Sequence, residues 1–496
     1  MDYFEKEYEF LPWISLSEEE KEKQRLWQKE LMKNYPVTFG EGSVISHEAH
    51  LYSVKGSFGR RTLIGSHALL RSLDITCGDN CSFNSYCVVH GKVTLGNNVR
   101  IAPGAKIFGE NHGFSDINAP ICTQPNTRRG IVIEDDVWVG ANAVITDGVR
   151  IGAHSIIGAG SVVTGDVEEY SVMGGSPARV IKNRLAQIKN TDEFQKMIAD
   201  FAKKARDSYQ DILSFHFKDG AFQNTPSDKE RRRAVCDAVE IAALFDSLPR
   251  QMKKEELIGA IRGFQEDRHE YECVMSASYA LEILGEKPLE FNYVKNLDIW
   301  NFTDSFKWKT DAWDAGHHTD ILATAYYMNK KHYGGRMPRE LFDYLQLNQD
   351  CDGLWGGGDM HLRVNGYYRL TRGTYDQFKL KPNYIKEAVD TLLKYAKDKG
   401  VPDNACDALD IIHPLYFAKG FTDYRVSEGE AWCVRMLPVF IEKFTNEGFA
   451  FKFGTEPGLK GTEMWLSIIY LMCDYLGLAH LLGYEPKGVH RVKDVM

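Results

Sequence analysis

The chain has 496 residues, of which 43% are hydrophobic and 26% charged, and its formal net charge at pH 7 is −9. A chain of that length divides into two domains, and that composition is globular and soluble. The acidic balance excludes a nucleic-acid binder, which draws its affinity from a basic face, and there is no run of about 18 apolar residues to span a membrane. The opening Met1-Asp2-Tyr3-Phe4-Glu5-Lys6 has neither the basic nor the apolar region of a secretory signal. Ten cysteines without a Cys-x-x-Cys pair read as reduced thiols, which predicts a cytoplasmic protein.

Residues 1–39 read as an N-terminal helical extension. From 40 to 185 the chain repeats. Ile133, Val139, Ile145, Ile151, Ile157 and Val163 are spaced six apart without a slip. The same period runs through Cys77, Phe83, Val89, Leu95, Ile101 and Ile107, and with a one-residue slip back through Tyr52, Phe58, Ile64 and Leu70. No α-helix keeps one face apolar at this spacing. Short strands joined by tight turns, three flat sides to a coil, do so with the aliphatic residue inside. Glycine follows Leu95, Val139, Ile151 and Ile157, and the residue after the aliphatic is expected to take the corner, where positive φ is required. Val137, Ala143, Val149, Ser155, Ser161 and Val167 form a second inward set. The period breaks between Ile107 and Ile133. An insertion in a solenoid leaves the coil as a loop, and such loops build binding faces. This one begins Gly109-Glu110-Asn111-His112-Gly113-Phe114-Ser115-Asp116. After Val167 a turn-rich and then basic segment, Tyr170 to Lys182, ends the repeat.

Four segments carry a resemblance to a known family. They are the loop His112, Asp135-Asp136-Val137-Trp138-Val139-Gly140-Ala141-Asn142, Ile157-Gly158-Ala159-Gly160-Ser161-Val162-Val163-Thr164, and Gly175-Ser176-Pro177-Ala178-Arg179-Val180-Ile181. Together they resemble the hexapeptide acyltransferases of the maltose and galactoside O-acetyltransferase type. The resemblance implies a left-handed parallel β-helix, an all-β domain. It also implies a homotrimer with active sites between neighbouring subunits, and acetyl-CoA as the acyl donor.

Acyl transfer from a thioester needs a base for the nucleophile's proton, donors for the oxyanion and a groove for a long anionic carrier. Histidine suits the base because its pKa lies near neutrality. His112, on the only large excursion from the coil, takes that role; alone it would read as a solvated loop histidine. The resemblance places Trp138 in the pocket near the acyl group and acceptor, the other reading being a packing residue at the trimer seam. It places Asn84 at the acceptor, although Tyr86 stands where the family has a second asparagine. For coenzyme A it points to the main chain of Ala141, Ala159, Thr164 and Gly165, and to Arg179 and Lys182 for the phosphates. Gly165 and Lys182 replace the family's usual lysine and arginine, and a solvated basic patch is the alternative for Arg179 and Lys182. A carbonic anhydrase on the same coil would need three histidines, two of them five residues apart, to bind zinc. Five after His112 stands Ile117, and His90 has no such partner, so no metal is expected.

Residues 186–227 read as a linker and helical spacer. From 228 to 496 the period is helical, with examples at Ala234–Leu248, Val274–Leu284, Thr319–Lys331, Tyr384–Lys397 and Thr462–Leu476. Leu345-Gln346-Leu347-Asn348-Gln349-Asp350-Cys351-Asp352-Gly353-Leu354-Trp355-Gly356-Gly357 resembles the repeat motif of the terpene cyclase and protein prenyltransferase α/α toroids. The acidic Asp-x-Asp-Asp run of the class II cyclases is missing, so the resemblance concerns an all-α fold and not an activity. The clusters Asp311–Asp320, Arg363–Tyr375 and Asn404–Pro414 read first as helix caps and buried hydrogen bonds, and otherwise as the lining of a central cavity. The reading is a trimeric acyl-CoA-dependent O-acetyltransferase of a carbohydrate or glycan precursor, whose toroid binds the acceptor or carries a second activity. N-acetylation of an amino sugar uses the same base. From another class, the coil is a trimerising scaffold for a glycan-processing toroid enzyme.

Overall fold

The computed structural model describes residues 16–52, 54–228, 232–265 and 274–491. The first 15 residues of the N-terminal extension, with the Met1–Lys6 stretch, and Cys273 lie outside the described residues. The chain forms two compact units, Met1–Leu185 and Ala186–Met496.

The first unit is a parallel β-solenoid of about seven turns. Three stacks of short strands make its faces. The first face aligns Val37, Gly56, Ile75, Val93 and Ile131. The second aligns Val44, Leu63, Ser82, Arg100, Trp138 and Ile156. The third aligns His50, Leu69, Val88, Lys106, Val144 and Val162. Ile133, Val139, Ile145, Ile151 and Ile157 are fully buried inside it, each stabilising the coil by about 1.5–3 kcal/mol.

Three expectations need correction. Val37–Phe39 already pairs with Gly56–Phe58, so the coil starts before residue 40. Helix α1 (Glu18–Asn34), capped by Ser17 and Glu20, lays Trp27 and Leu31 on the coil's core. Gln24 exchanges two hydrogen bonds with the Ile45 backbone and Gln28 donates to the Ser43 carbonyl, so the helix covers the exposed edge of the first turn. At the slip in the repeat the interior residue is Leu51; Tyr52 is 61% exposed. The corners also work differently. Positive φ falls three residues after the interior aliphatic, at Asp136, Asn142, Gly148, His154 and Gly160. The glycine directly after it serves close stacking: a Cβ on Gly96 would lie 2.1 Å from Asp135 Oδ1, and one on Gly140 2.6 Å from the Ile157 carbonyl oxygen.

The second unit is helical: α2 (Asp192–Phe215), α3 (Arg232–Leu244), α4 (Lys254–Gln265), α5 (Ser276–Ile283), α6 (Ile299–Asp304), α7 (Ala312–Tyr333), α8 (Arg339–Leu347), α9 (Met360–Thr371), α10 (Ile385–Lys399), α11 (Ala405–Lys419), α12 (Val426–Glu442) and α13 (Leu459–Tyr475). Residues 186–227 hold a helix, as the spacer reading expects, and that helix packs as part of this unit. Helix α2 buries Phe194, Ile198, Phe201, Ala202 and Ala205, an apolar stripe at helical spacing, in this unit's core. Packing runs α5–α3–α13–α11 and on through α9 to α7, with α4, α10 and α12 lying against that series. Helices α7 and α9 are parallel neighbours, since Gly316 meets Gly366 and Asp320 meets Gly373. Parallel neighbours require the chain to return between them, and α8 makes that return. The Gln349–Trp355 turn closes on itself: Gln349 Nε2 donates to the Gly353 carbonyl and Trp355 Nε1 to the Leu345 carbonyl. Arg372 and Asp320, 3% and 0% exposed in their side chains, form a buried ion pair across α7 and the π-turn Arg372–Asp376. Arg372→Ala should lower stability by about 3–5 kcal/mol, because Asp320 is left as an uncompensated buried charge. Leu347→Ala, at a 75% exposed position, should stay within about 0.5 kcal/mol of wild type by denaturant melting.

Candidate active site

The 21-residue excursion leaves the coil after Lys106–Gly109, at the corner between the third and first faces, and rejoins it at Ile131–Ile133. Its base is pinned on both strands. Asn111 and Thr127 exchange backbone hydrogen bonds of 2.9 and 2.8 Å. The Glu110 carboxylate sits 3.2 Å from His90 Nε2 on the coil and accepts from Arg128 Nε at 2.7 Å. Asp147, one turn up, accepts from the backbone N–H groups of Arg129 and Gly130 at 3.1 and 2.8 Å. The sequence reading missed Glu110 and Asp147; four carboxylate contacts at the base of a short insertion are invisible until the turns are stacked.

His112 is the first residue past this clamp, exposed, and its imidazole meets no hydrogen-bond or ion-pair partner among the described residues. An exposed ring with both nitrogens open is free to take a proton from an incoming nucleophile. Beyond it the loop carries Phe114, Ile117 and Ile121 at 68%, 93% and 57% exposure.

The other expected residues are spread around the coil. Trp138 points out of the second face, 53% exposed, between Arg100 and Ile156. Asn84 stands at the corner after the second face, where its Nδ2 donates to Ser82 Oγ and to the Ile101 carbonyl. Ala141 and Ala159 occupy that same corner one turn apart, joined by the 2.8 Å bond from the Gly160 N–H to the Ala141 carbonyl. Thr164 and Gly165 turn the corner from which the loop departs, two rungs above Phe108 through Thr146, a rise of about 10 Å. Added Cβ atoms at Gly160 and Gly165 would meet nothing within 4 Å, so the main chain there is open to a ligand. Arg179 and Lys182, both exposed, lie on Arg179–Asn183, which pairs antiparallel with Ser171–Gly174. A register shift there sets Arg179 opposite Gly174 and Lys182 opposite Val172, so two cations three residues apart share one face. Within one chain the small and basic residues flank the third face at its C-terminal end. His112 and Trp138 are not brought together.

The second-half clusters are partly caps, as first read. Asp311 caps α7 and Asn404 caps α11. Among the described residues no group of three or more His, Cys, Asp or Glu side chains is placed to hold a metal ion, all nine cysteines are free, and no helix is long and apolar enough to cross a membrane.

Residues 74–109 and 130–165 match the model of a known family, bacterial transferase hexapeptide (six repeats). Both matched segments lie within the coil. The loop falls between the two matched segments. This hexapeptide coil is 37% identical over 114 residues to a 2,3,4,5-tetrahydropyridine-2,6-dicarboxylate N-acetyltransferase of Staphylococcus aureus strain bovine RF122 / ET3-1, covering 23% of this chain and 41% of that protein. The chain thus spans about two fifths of the length of the curated relatives it matches. Two similar solved structures are an N-acyltransferase from Bacillus cereus in complex with dTDP and coenzyme A and a hexapeptide-repeat acetyltransferase from Vibrio cholerae. The first is 21% identical with a TM-score of 0.29, covering 36% of this chain and 96% of its own. The second is 30% identical with a TM-score of 0.25, covering 34% and 82%.

The clamp gives a test. Asp147→Ala removes the acceptor for two backbone donors, which should cost about 1–3 kcal/mol locally. Trypsin should then cut after Arg128 or Arg129 several-fold faster than in wild type. An unchanged cleavage rate would mean that the loop is held elsewhere.

Proposed function

We propose that the protein is an acyl-CoA-dependent O-acetyltransferase acting on a hydroxyl of a carbohydrate or glycan precursor. The observation that carries the reading is one exposed, partner-free histidine on the loop of a hexapeptide transferase coil. His112 takes the proton of the acceptor hydroxyl as its oxygen attacks the thioester carbonyl. The C–O bond forms, the C–S bond breaks, and the leaving thiolate takes the proton from the imidazolium. A backbone N–H of the coil receives the oxyanion. Ala141, Ala159, Thr164 and Gly165 lie along the pantetheine arm of acetyl-CoA, Arg179 and Lys182 take its phosphates, and Trp138 and Asn84 meet the acceptor.

The wide separation of His112 from Trp138 supports a homotrimer, in which the loop of one subunit faces the second face of the next. The exposed Phe114, Ile117 and Ile121 support it too, since three large apolar side chains exposed on one loop suit a contact with another surface. The names of the S. aureus relatives favour a second reading, transfer to an amine with the same base. Thiol release from acetyl-CoA with paired hydroxyl and amino sugars separates the two.

His112→Ala should lower turnover by roughly 10²–10⁴-fold, the usual worth of a positioned base, without changing the melting temperature. Turnover within a few-fold of wild type would remove His112 from the mechanism. Sedimentation at micromolar concentration should give a trimer, and Ile117→Asp should dissociate it with loss of activity. A fully active monomer would contradict the shared site.

A further inference from the structure

The acyl-transfer reading leaves one cavity and one sequence motif unused, and the two coincide. The helical unit carries a cleft of about 620 Å³ where the end of α6, the segment 305–311 and the end of α8 meet. That size lies in the range of small-molecule sites, roughly 300–1,000 Å³. The Leu345–Gly357 motif forms one wall and supplies Asn348, Asp350, Gly356 and Gly357. All of the lining belongs to the helical unit.

The walls are fixed by backbone and side-chain bonds. The Gly357 N–H donates to the Trp308 carbonyl, and the Gly357 carbonyl accepts from the Ala312 N–H at 3.1 Å. Glycine permits that approach: a Cβ on Gly356 would lie 2.8 Å from the Trp308 carbonyl oxygen, and one on Gly357 2.2 Å from that of Lys309. Trp308 is tied a second time through its ring, whose Nε1 donates to the Thr303 carbonyl at 2.8 Å. Its polar atom is thereby satisfied, and the half-buried indole lines the cleft. The Tyr344 ring lies 6.1 Å from it, and Trp300, 41% exposed, continues the aromatic surface 5.1 Å beyond Tyr344. The polar groups stand around these rings. Tyr344 Oη donates to Asp304 at 3.0 Å, and Arg363 Nη2 holds Asp350 at 3.0 Å. Each carboxylate is oriented by one partner and keeps lone pairs for another. Lys307 and Lys309 line the same cleft and balance the two acids.

We propose that this cleft is a carbohydrate site, which takes a neutral oligosaccharide laid along Trp308 and Tyr344. Two carboxylates set against two ammonium groups leave no net charge to select an anion or a cation. Sugar hydroxyls are donors and acceptors at once: they donate to Asp304 and Asp350 and accept from the lysines and the Asn348 amide. The C–H face of a pyranose is apolar and lies against an indole, a large flat hydrophobic surface. The site uses no residue of the coil, so it stands or fails apart from the acyl-transfer reading.

Full-length protein titrated with maltotriose, cellotriose, lactose and diacetylchitobiose, followed by tryptophan fluorescence and calorimetry, should bind at least one of them saturably. Trp308→Ala should weaken that binding at least about 30-fold, the scale of losing a central aromatic contact. Asn348→Ala, at an exposed position, should weaken it roughly 3- to 10-fold, the worth of one hydrogen bond, with little change in melting temperature. It serves if Trp308→Ala does not fold. His112→Ala should leave the affinity at its wild-type value, whatever it does to acyl transfer. No saturable binding of any of these sugars would overturn the proposal. So would tighter binding of glucose phosphate or glucosamine than of every neutral sugar, or wild-type affinity in either cleft variant that folds.

Discussion

The first unit depends on one constraint: each turn of backbone must sit on the turn below at the spacing of a parallel ladder. From it follow the filled interior of Ile and Val, the glycines that would otherwise drive a Cβ into the next turn, and the left-handed φ at fixed corners. It also fixes where extra residues go. A strand cannot lengthen without breaking its neighbours' register, so an insertion must leave at a corner. The corner after Gly109 is that exit, and the coil spends Glu110 and Asp147 on holding it. His112 is therefore mounted on a loop whose base is pinned by these contacts, with its own ring left unbound among the described residues.

The same rigidity keeps His112 and Trp138 apart. A prism with a packed core cannot fold its faces towards each other. A histidine at one corner and a tryptophan on the opposite face of one coil cannot meet within it. The apolar loop residues next to His112 suit a contact with another surface.

The solenoid was legible because its period is enforced at every turn; Ile133 to Val163 would be intolerable in any other register. The errors lie where two residues compete for one structural role. Tyr52 fits the six-residue count, yet Leu51 is interior, because the turn there carries one residue more. Glycine after Val139 was assigned to the corner for its φ, whereas Gly140 is needed for its missing Cβ and Asn142 bears the φ. Local sequence holds both positions but says nothing of the turn above. Residues 192–215 read as a helical spacer, and what that reading misses is their burial. Their charged residues are as frequent as in a linker, and only the spacing of Phe194, Ile198, Phe201 and Ala205 marks a helix with a buried stripe. Glu110 and Asp147 were unreadable because their partners lie on other turns.

The helical unit shows how far composition falls short of a site. Helices α11 and α13 are apolar on nearly all sides, as helices of an inner layer must be. Polar residues on such helices carry a desolvation cost that the fold must offset. Most here do so by pairing, and Asp320 with Arg372 or Glu463 with His490 are structural in that sense. Asp410 on α11 does not: neither carboxylate oxygen has a hydrogen-bond partner among the described residues, so its burial is a cost the rest of the core offsets.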